Sequence, residues 1–173
     1  WKREYSIIYP MWESAAALKM PVTLPTSGPD AFFRPSYRFN ERYEDLHNHP
    51  DWSFYGKDFP SNQELLEARN RVYAKHPKTQ FISLHVGSDA ENLGYVSECM
   101  DQFPNMHVQL GARIGELGRQ TRTAKKFLYR VRDRILFGND ATPPETHDPH
   151  QVTNRPRYEI HFVYRAPEAG SLT

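Results

Sequence analysis

Three short apolar runs constrain this chain more than any other feature. They are Phe81-Ile82-Ser83-Leu84-His85-Val86, Met106-His107-Val108-Gln109-Leu110 and Ile135-Leu136-Phe137, and each is followed by glycine. Short apolar runs ending in glycine or polar residues read as buried strands. They recur about every 25 to 30 residues, the length of one strand–helix–strand unit, so parallel pairing with right-handed crossovers is expected. The segments between them carry helical spacing. One helix uses Leu65, Ala68 and Val72 behind the capping box Ser61-x-x-Glu64. A second uses Leu93, Val96, Met100 and Phe103 behind a second such box, Ser88-x-x-Glu91. A third starts near Thr121 and uses Ala124, Phe127, Leu128 and Val131.

Upstream, the spacing of Trp12, Ala15, Ala16 and Leu18 predicts a helix over 10–19, with Pro10 in its first turn. A strand over 20–24 follows, stopped by Pro25. Residues 26–60 form a long polar and aromatic insertion, rich in Phe, Tyr and Trp, with a short helix expected near 40–47. Loops of this length in compact domains are usually functional, and this one is read as covering a pocket mouth.

The expected fold is therefore α/β, four parallel strands alternating with helices. Four such units make half of a (β/α)8 barrel, and an open half leaves two unpaired edges. The chain is read as a single partial barrel domain over 1–173, the C-terminal half of a longer protein or a partner of another chain. A small open α/β sandwich is the alternative. Tyr158, Ile160, Phe162 and Tyr164 alternate as a strand would, but the barrel reading places a final helix there.

Bulk properties exclude several classes. The 173 residues suffice for one core. Net charge is +1 with no basic stripe, so nucleic acid is not an implied partner. No apolar run is long enough to span a bilayer. The lone Cys99 permits no internal disulfide, and a cytoplasmic location is expected. The chain opens on Trp1, which suggests that its true N-terminus lies upstream. There is no nucleophile elbow, P-loop or dinucleotide fingerprint.

The chemistry candidates sit at strand ends, where barrels of this kind keep their catalytic groups. Asp140 follows the 135–138 strand and suits a divalent metal or proton transfer; it also suits a helix cap. His85 ends its strand before Gly87, as a ligand, a general base or a satisfied core histidine. Arg113 follows the 106–110 strand and can hold a substrate carboxylate, or pair with Glu116. Trp52 and Phe54 can wall a substrate pocket or simply pack the insertion. His47-Asn48-His49 has metal-pair spacing but lies at a helix end, and His147-Asp148-Pro149-His150 lies in a loop. Cys99 reads as core.

Several stretches together resemble a known family. They are Pro21-Val22-Thr23-Leu24-Pro25-Thr26, Asn40-Glu41-Arg42-Tyr43, His49-Pro50-Asp51-Trp52-Ser53-Phe54, Leu66-Glu67-Ala68-Arg69-Asn70, His76-Pro77-Lys78-Thr79, Leu84-His85-Val86-Gly87, Ala90-Glu91-Asn92-Leu93, Ala112-Arg113-Ile114-Gly115-Glu116-Leu117-Gly118-Arg119-Gln120 and residues 135–141. This combination resembles the amidohydrolase-related metal-dependent hydrolases, in the branch that includes 2-amino-3-carboxymuconate semialdehyde decarboxylase. The likeness covers about residues 12–144. It implies a TIM barrel seen from just before its fifth strand to its eighth. It also implies a divalent metal, often zinc, held by a His-x-His on strand one, a histidine on strand five and an aspartate on strand eight.

By that likeness Asp140 matches the strand-eight aspartate and His85 the assisting strand-six histidine. The implied activity is hydrolysis of a small carbonyl-containing or carboxylate substrate through metal-activated water, or a related decarboxylation. A homo-oligomer fits the class. The sequence departs from the pattern in two ways: strands one to four are not in it, and Pro25 stands where the strand-five histidine belongs. Proline cannot ligate a metal, so the alternative is a barrel that has lost metal binding and catalysis. After Pro144 the likeness ends.

Overall fold

A computed structural model describes residues 5–138 and Asp140. The alternating 158–164 segment and the histidines at 147 and 150 lie outside these residues. Four strands, β1 (Val22–Leu24), β2 (Phe81–Ser83), β3 (Met106–Gln109) and β4 (Ile135–Leu136), form one sheet in the order β1-β2-β3-β4. Every neighbouring pair is parallel. Sequential strands lie side by side, and helices Asn62–Lys75, Leu93–Gln102 and Thr121–Val131 occupy the crossovers. The four-strand parallel α/β arrangement expected from the sequence is present. Among the described residues β1 and β4 are the outer strands.

Burial alternates along the two central strands. Phe81, Ser83, Met106 and Val108 are buried, whereas Ile82, His107 and Gln109 are half-buried. Period-two side chains explain this: one face of the sheet packs on the helices and the other is only partly covered. The covered face joins Val72, Tyr73, Val96, Met100, Ala124 and Phe127 in one core with Trp12. Tyr73 stacks on Phe81 at 4.6 Å, and its hydroxyl shares a hydrogen bond with Ser83 Oγ. A buried hydroxyl on a strand would be costly without such a partner.

Polar side chains fix the helix ends. Asn105 Nδ2 donates to the carbonyls of Tyr73, His76 and Thr79 at 3.0–3.3 Å, closing the Asn62–Lys75 helix onto the start of β3. Arg134 Nη1 donates to Met100 O at 2.7 Å at the end of the Leu93–Gln102 helix. At the other end of the Asn62–Lys75 helix the capping box is complete: Ser61 Oγ accepts from Glu64 N, and Ser61 N donates to Glu64 Oε2 at 2.8 Å.

Three expectations are corrected, and the short helix expected in the insertion is present. The first helix spans Tyr5–Ala17, with Pro10 inside it rather than in its first turn. The strand expected over 80–86 stops at Ser83, and the chain then turns left-handed. Ser88 and Glu91 do not cap a helix. Ser88 has φ of 58°, and Glu91 Oε1 accepts from Asp30 N at 3.0 Å. Helix Leu93–Gln102 is capped instead by Asn92, whose side chain accepts from Tyr95 N. The short helix of the insertion runs Tyr43–Asn48, with 3₁₀ turns at Asp30–Phe33 and Pro50–Trp52.

Candidate functional site

The C-terminal ends of β2, β3 and β4 meet around one pair of side chains. After Ser83 the backbone enters a left-handed run: His85, Val86, Gly87 and Ser88 have φ of 57°, 56°, 68° and 58°. Only glycine adopts such angles cheaply, and a β-branched residue there is a true outlier. Two anchors hold the run. Val86 is fully buried in the core, and the Arg69 guanidinium donates to Gly87 O. Residues held in strained conformations cluster at functional sites.

The run turns the His85 ring toward β3 and β4. His85 Nδ1 lies 3.0 Å from Gly111 O. A carbonyl can only accept, so Nδ1 carries the proton and Nε2 keeps its lone pair when the ring is neutral. Nε2 stands 3.9 Å from Asp140 Oδ2. His85 is 15% exposed and Asp140 52% exposed at the side chain, so the pair opens to solvent. Gln109, on β3, sits beneath both: its Oε1 accepts from Gly111 N at 3.1 Å and from His85 N at 3.4 Å.

Beside this pair lies a second, more buried set. Arg113 is 5% exposed; Nη1 donates to Ala112 O at 2.6 Å, while Nε is buried without a hydrogen-bond partner among the described residues. Burial pulls the Arg113 pKa down, against the pull of Glu116, Glu91 and Asp140. Glu116, 1% exposed, is bound not by Arg113 but by Arg42, whose Nε and Nη2 both donate to Oε1. Burial lowers the Arg42 pKa, but the bonds to Glu116 and Asp45 outweigh it and the net shift is upward. Burial raises the Glu91 carboxyl above its usual range. The simple Arg113–Glu116 pair considered from sequence is thus replaced by an Arg42–Glu116 pair supplied by the insertion.

Trp52 and Pro25 are placed elsewhere. Trp52 is 42% exposed and stacks on His49 at 4.1 Å, with Phe32 at its side. Tyr43 stacks on His47 in the same way, and neither histidine belongs to a cluster of three or more ligating side chains among the described residues. Phe54 packs on Phe33 and Phe59 and, with Pro25, Leu24 and Trp12, lines a cavity of about 420 Å³ under the insertion. Pro25 is therefore built into an apolar wall. Cys99 is buried, as expected of a core residue.

Two donors, His85 Nε2 and Asp140 Oδ2, are what the described residues offer at the strand-end pair. Catalytic zinc takes three protein ligands plus water, and two ligands of one tetrahedral ion stand about 3.4 Å apart. The residues described here do not complete a zinc site. Glu41, Glu91 and Glu116 do bring carboxylate oxygens within 4.8 Å of one another, but Arg119 already pairs with Glu41 and Arg42 with Glu116. Sequence reasoning named Glu116 only as a partner of Arg113 and missed Gln109 and Arg42 as neighbours of the site. Their convergence is long-range, and only the polar residues at strand ends hinted at it.

No family model, curated protein or solved structure matches the chain. Among the described residues no helix is long and apolar enough to cross a membrane.

Proposed function

We propose that this chain forms strands five to eight of an amidohydrolase-type (β/α)8 barrel, and that its strand-end pair works on a small carbonyl-containing or carboxylate substrate. One-sided burial supports the barrel reading. Parallel sheets are normally covered on both faces, and here the face carrying Ile82, His107 and Gln109 is the less covered one. That face would line the barrel interior.

The observation that carries the functional reading is the 3.9 Å separation of His85 Nε2 and Asp140 Oδ2 with Nδ1 committed to Gly111 O. A water about 2.8 Å from both atoms fits beside such a pair. Neutral His85 then takes the proton from that water as general base, Asp140 holds the water and the resulting imidazolium, and the water oxygen attacks the carbonyl. The proton returns from Nε2 to the leaving group. In the family this type resembles, a divalent metal, often zinc, activates the water. Asp140 would share in holding such an ion. Arg113 supplies positive charge near Asp140 for a substrate carboxylate.

A related lyase would use the same imidazole to protonate carbon after loss of carbon dioxide. The second reading, a barrel that keeps the scaffold without catalysis, is favoured by one observation: Pro25 packs in an apolar wall where the family has a ligand.

The test is hydrolysis of a panel of activated esters, lactones and amides across pH, with carbon dioxide release followed in parallel on carboxylate substrates. His85→Gln should lower the rate 10²- to 10⁴-fold, and Asp140→Asn should lower it too. Wild-type rates in both variants, or no turnover by the full-length protein, would favour the non-catalytic scaffold.

A further inference from the structure

We infer that Gln109 is a positioning residue that sets the tautomer and direction of His85. The carboxamide can be oriented without ambiguity. Two backbone N–H groups, those of His85 and Gly111, point at one end of it, at 3.4 and 3.1 Å. Only an oxygen accepts two such donors, so that end is Oε1 and the other is Nε2. One side-chain atom thereby joins the residue that carries the imidazole to the residue whose carbonyl receives the imidazole proton. His85 N, Gln109 Oε1, Gly111 N, Gly111 O and His85 Nδ1 form a closed ring of contacts spanning β2 and β3.

The opposite end of the carboxamide fills the gap between the β3 and β4 ends. A Cβ added at Gly111 would lie 2.5 Å from Gln109 Nε2 and 3.0 Å from Asp140 N. A Cβ added at Gly138 would lie 2.5 Å from Gln109 Cδ. Both glycines leave room for the carboxamide, which thus rests against the backbone that delivers Asp140. The position suits the role: β3 alternates, and Gln109 falls on the partly covered face with His107 rather than in the core with Val108.

The left-handed run needs such a tie. Three of its four residues, His85, Val86 and Ser88, are held against their own preference, and only Gly87 adopts the region cheaply. Arg69 and the Val86 side chain hold the middle and end of the run, and Gln109 holds its His85 end through the backbone. Without it, Gly111 N loses the acceptor that fixes the Leu110–Gly111 peptide, and the adjoining Gly111–Ala112 peptide, whose carbonyl faces Nδ1, is held less firmly.

The catalytic weight of this role rests on His85 and Asp140 being the reacting pair, but the tie itself is read without turnover. The measurement is the ¹⁵N spectrum of histidine-labelled protein, in which the protonated and unprotonated ring nitrogens of His85 are distinguished above its pKa. In the wild type Nδ1 should be the protonated nitrogen. Gln109→Met, close in shape but with no acceptor, should shift His85 so that the Nδ1–H form becomes the minority. Gln109→Glu, which keeps an oxygen facing both N–H groups, should retain the wild-type form. Unchanged tautomer in Gln109→Met would overturn the inference. So would a wild-type ring already protonated at Nε2. Should Gln109→Met fail to fold, hydrogen exchange in the wild type decides: the His85 and Gly111 amides must be protected, and exchange at the rate of free amides would refute the tie. If the tautomer responds while His85→Gln leaves hydrolysis intact, the positioning role stands and the catalytic reading falls.

Discussion

Arg42 and Glu116 stand 74 positions apart in sequence, and Arg42 Nη2 meets Glu116 Oε1 at 2.5 Å. One belongs to the aromatic insertion and the other to the short helix Ile114–Gly118 after β3, so this ion pair, with Arg119–Glu41 beside it, fastens the insertion over the strand ends. The carboxylate is almost wholly buried while the guanidinium is partly exposed. Arg42→Met should leave Glu116 charged and unpaired, at a cost of about 3 kcal/mol. Urea unfolding of the two proteins measures this, and a difference under about 1 kcal/mol would show that Arg113 takes over the pairing.

Asp89 gives the fold a pH dependence of defined sign. Its carboxyl is pushed up to about 6, first by burial and then by Glu91 and Asp30, against the pull of Arg69. The folded state then binds a proton more tightly than the unfolded chain does. Between the unfolded value, near 4, and about 6, the Asp89 contribution to stability falls as pH rises. Burial raises Glu91 in the same direction. Asp89→Asn should therefore be more stable than the wild type at pH 7, by about 1 kcal/mol once solvent screening is allowed for. The advantage should vanish near pH 4. Thermal melts at both values check it, and equal melting temperatures at pH 7 would contradict it.

Replacing His85 should cost little stability. The residue sits at φ of 57°, where asparagine is better tolerated than histidine. His85→Asn relieves strain on the order of 1 kcal/mol while forfeiting the bond to Gly111 O, a loss of similar size. The melting temperature should stay within a few degrees of the wild type, as activity is lost. A large fall in melting temperature would mean that the imidazole is a structural brace.

Zinc should bind this chain at less than one equivalent. His85 and Asp140 supply two donors at 3.9 Å, and Pro25 supplies none. Elemental analysis after dialysis measures the content, and stoichiometric zinc would refute the ligand count. If the full-length protein holds metal, Asp140→Ala should abolish it.

The sheet was legible because its signals are local. The apolar runs opening at Phe81, Met106 and Ile135 each became a strand, and the Ser61/Glu64 box closed as its spacing implied. The same box pattern at Ser88 and Glu91 misled, because Glu91 is taken by Asp30 N from the insertion, 61 positions away. The left-handed run was hidden as well. His85 and Val86 carry no sign of positive φ in their residue types, and tertiary anchors from Arg69 and Gln109 impose it. His85, Arg113 and Asp140 could be placed on one face because strand ends of a parallel sheet share a side. Trp52 could not be placed, since an insertion has no period from which to read direction.

The outer margin of the sheet at β1 bears on how the protein behaves in concentrated solution. Ile7, Met11, Leu18 and Met20, beside or before β1, are each at least 58% exposed. Pro21 and Pro25 bracket the three-residue strand, and prolines and short length both blunt an edge against backbone pairing. Stickiness at this margin is therefore a matter of greasy side chains rather than of exposed amide groups. Clusters formed through it should be reversible, loosened by mild non-ionic detergent, and free of the cross-β signature that a long bare strand would invite.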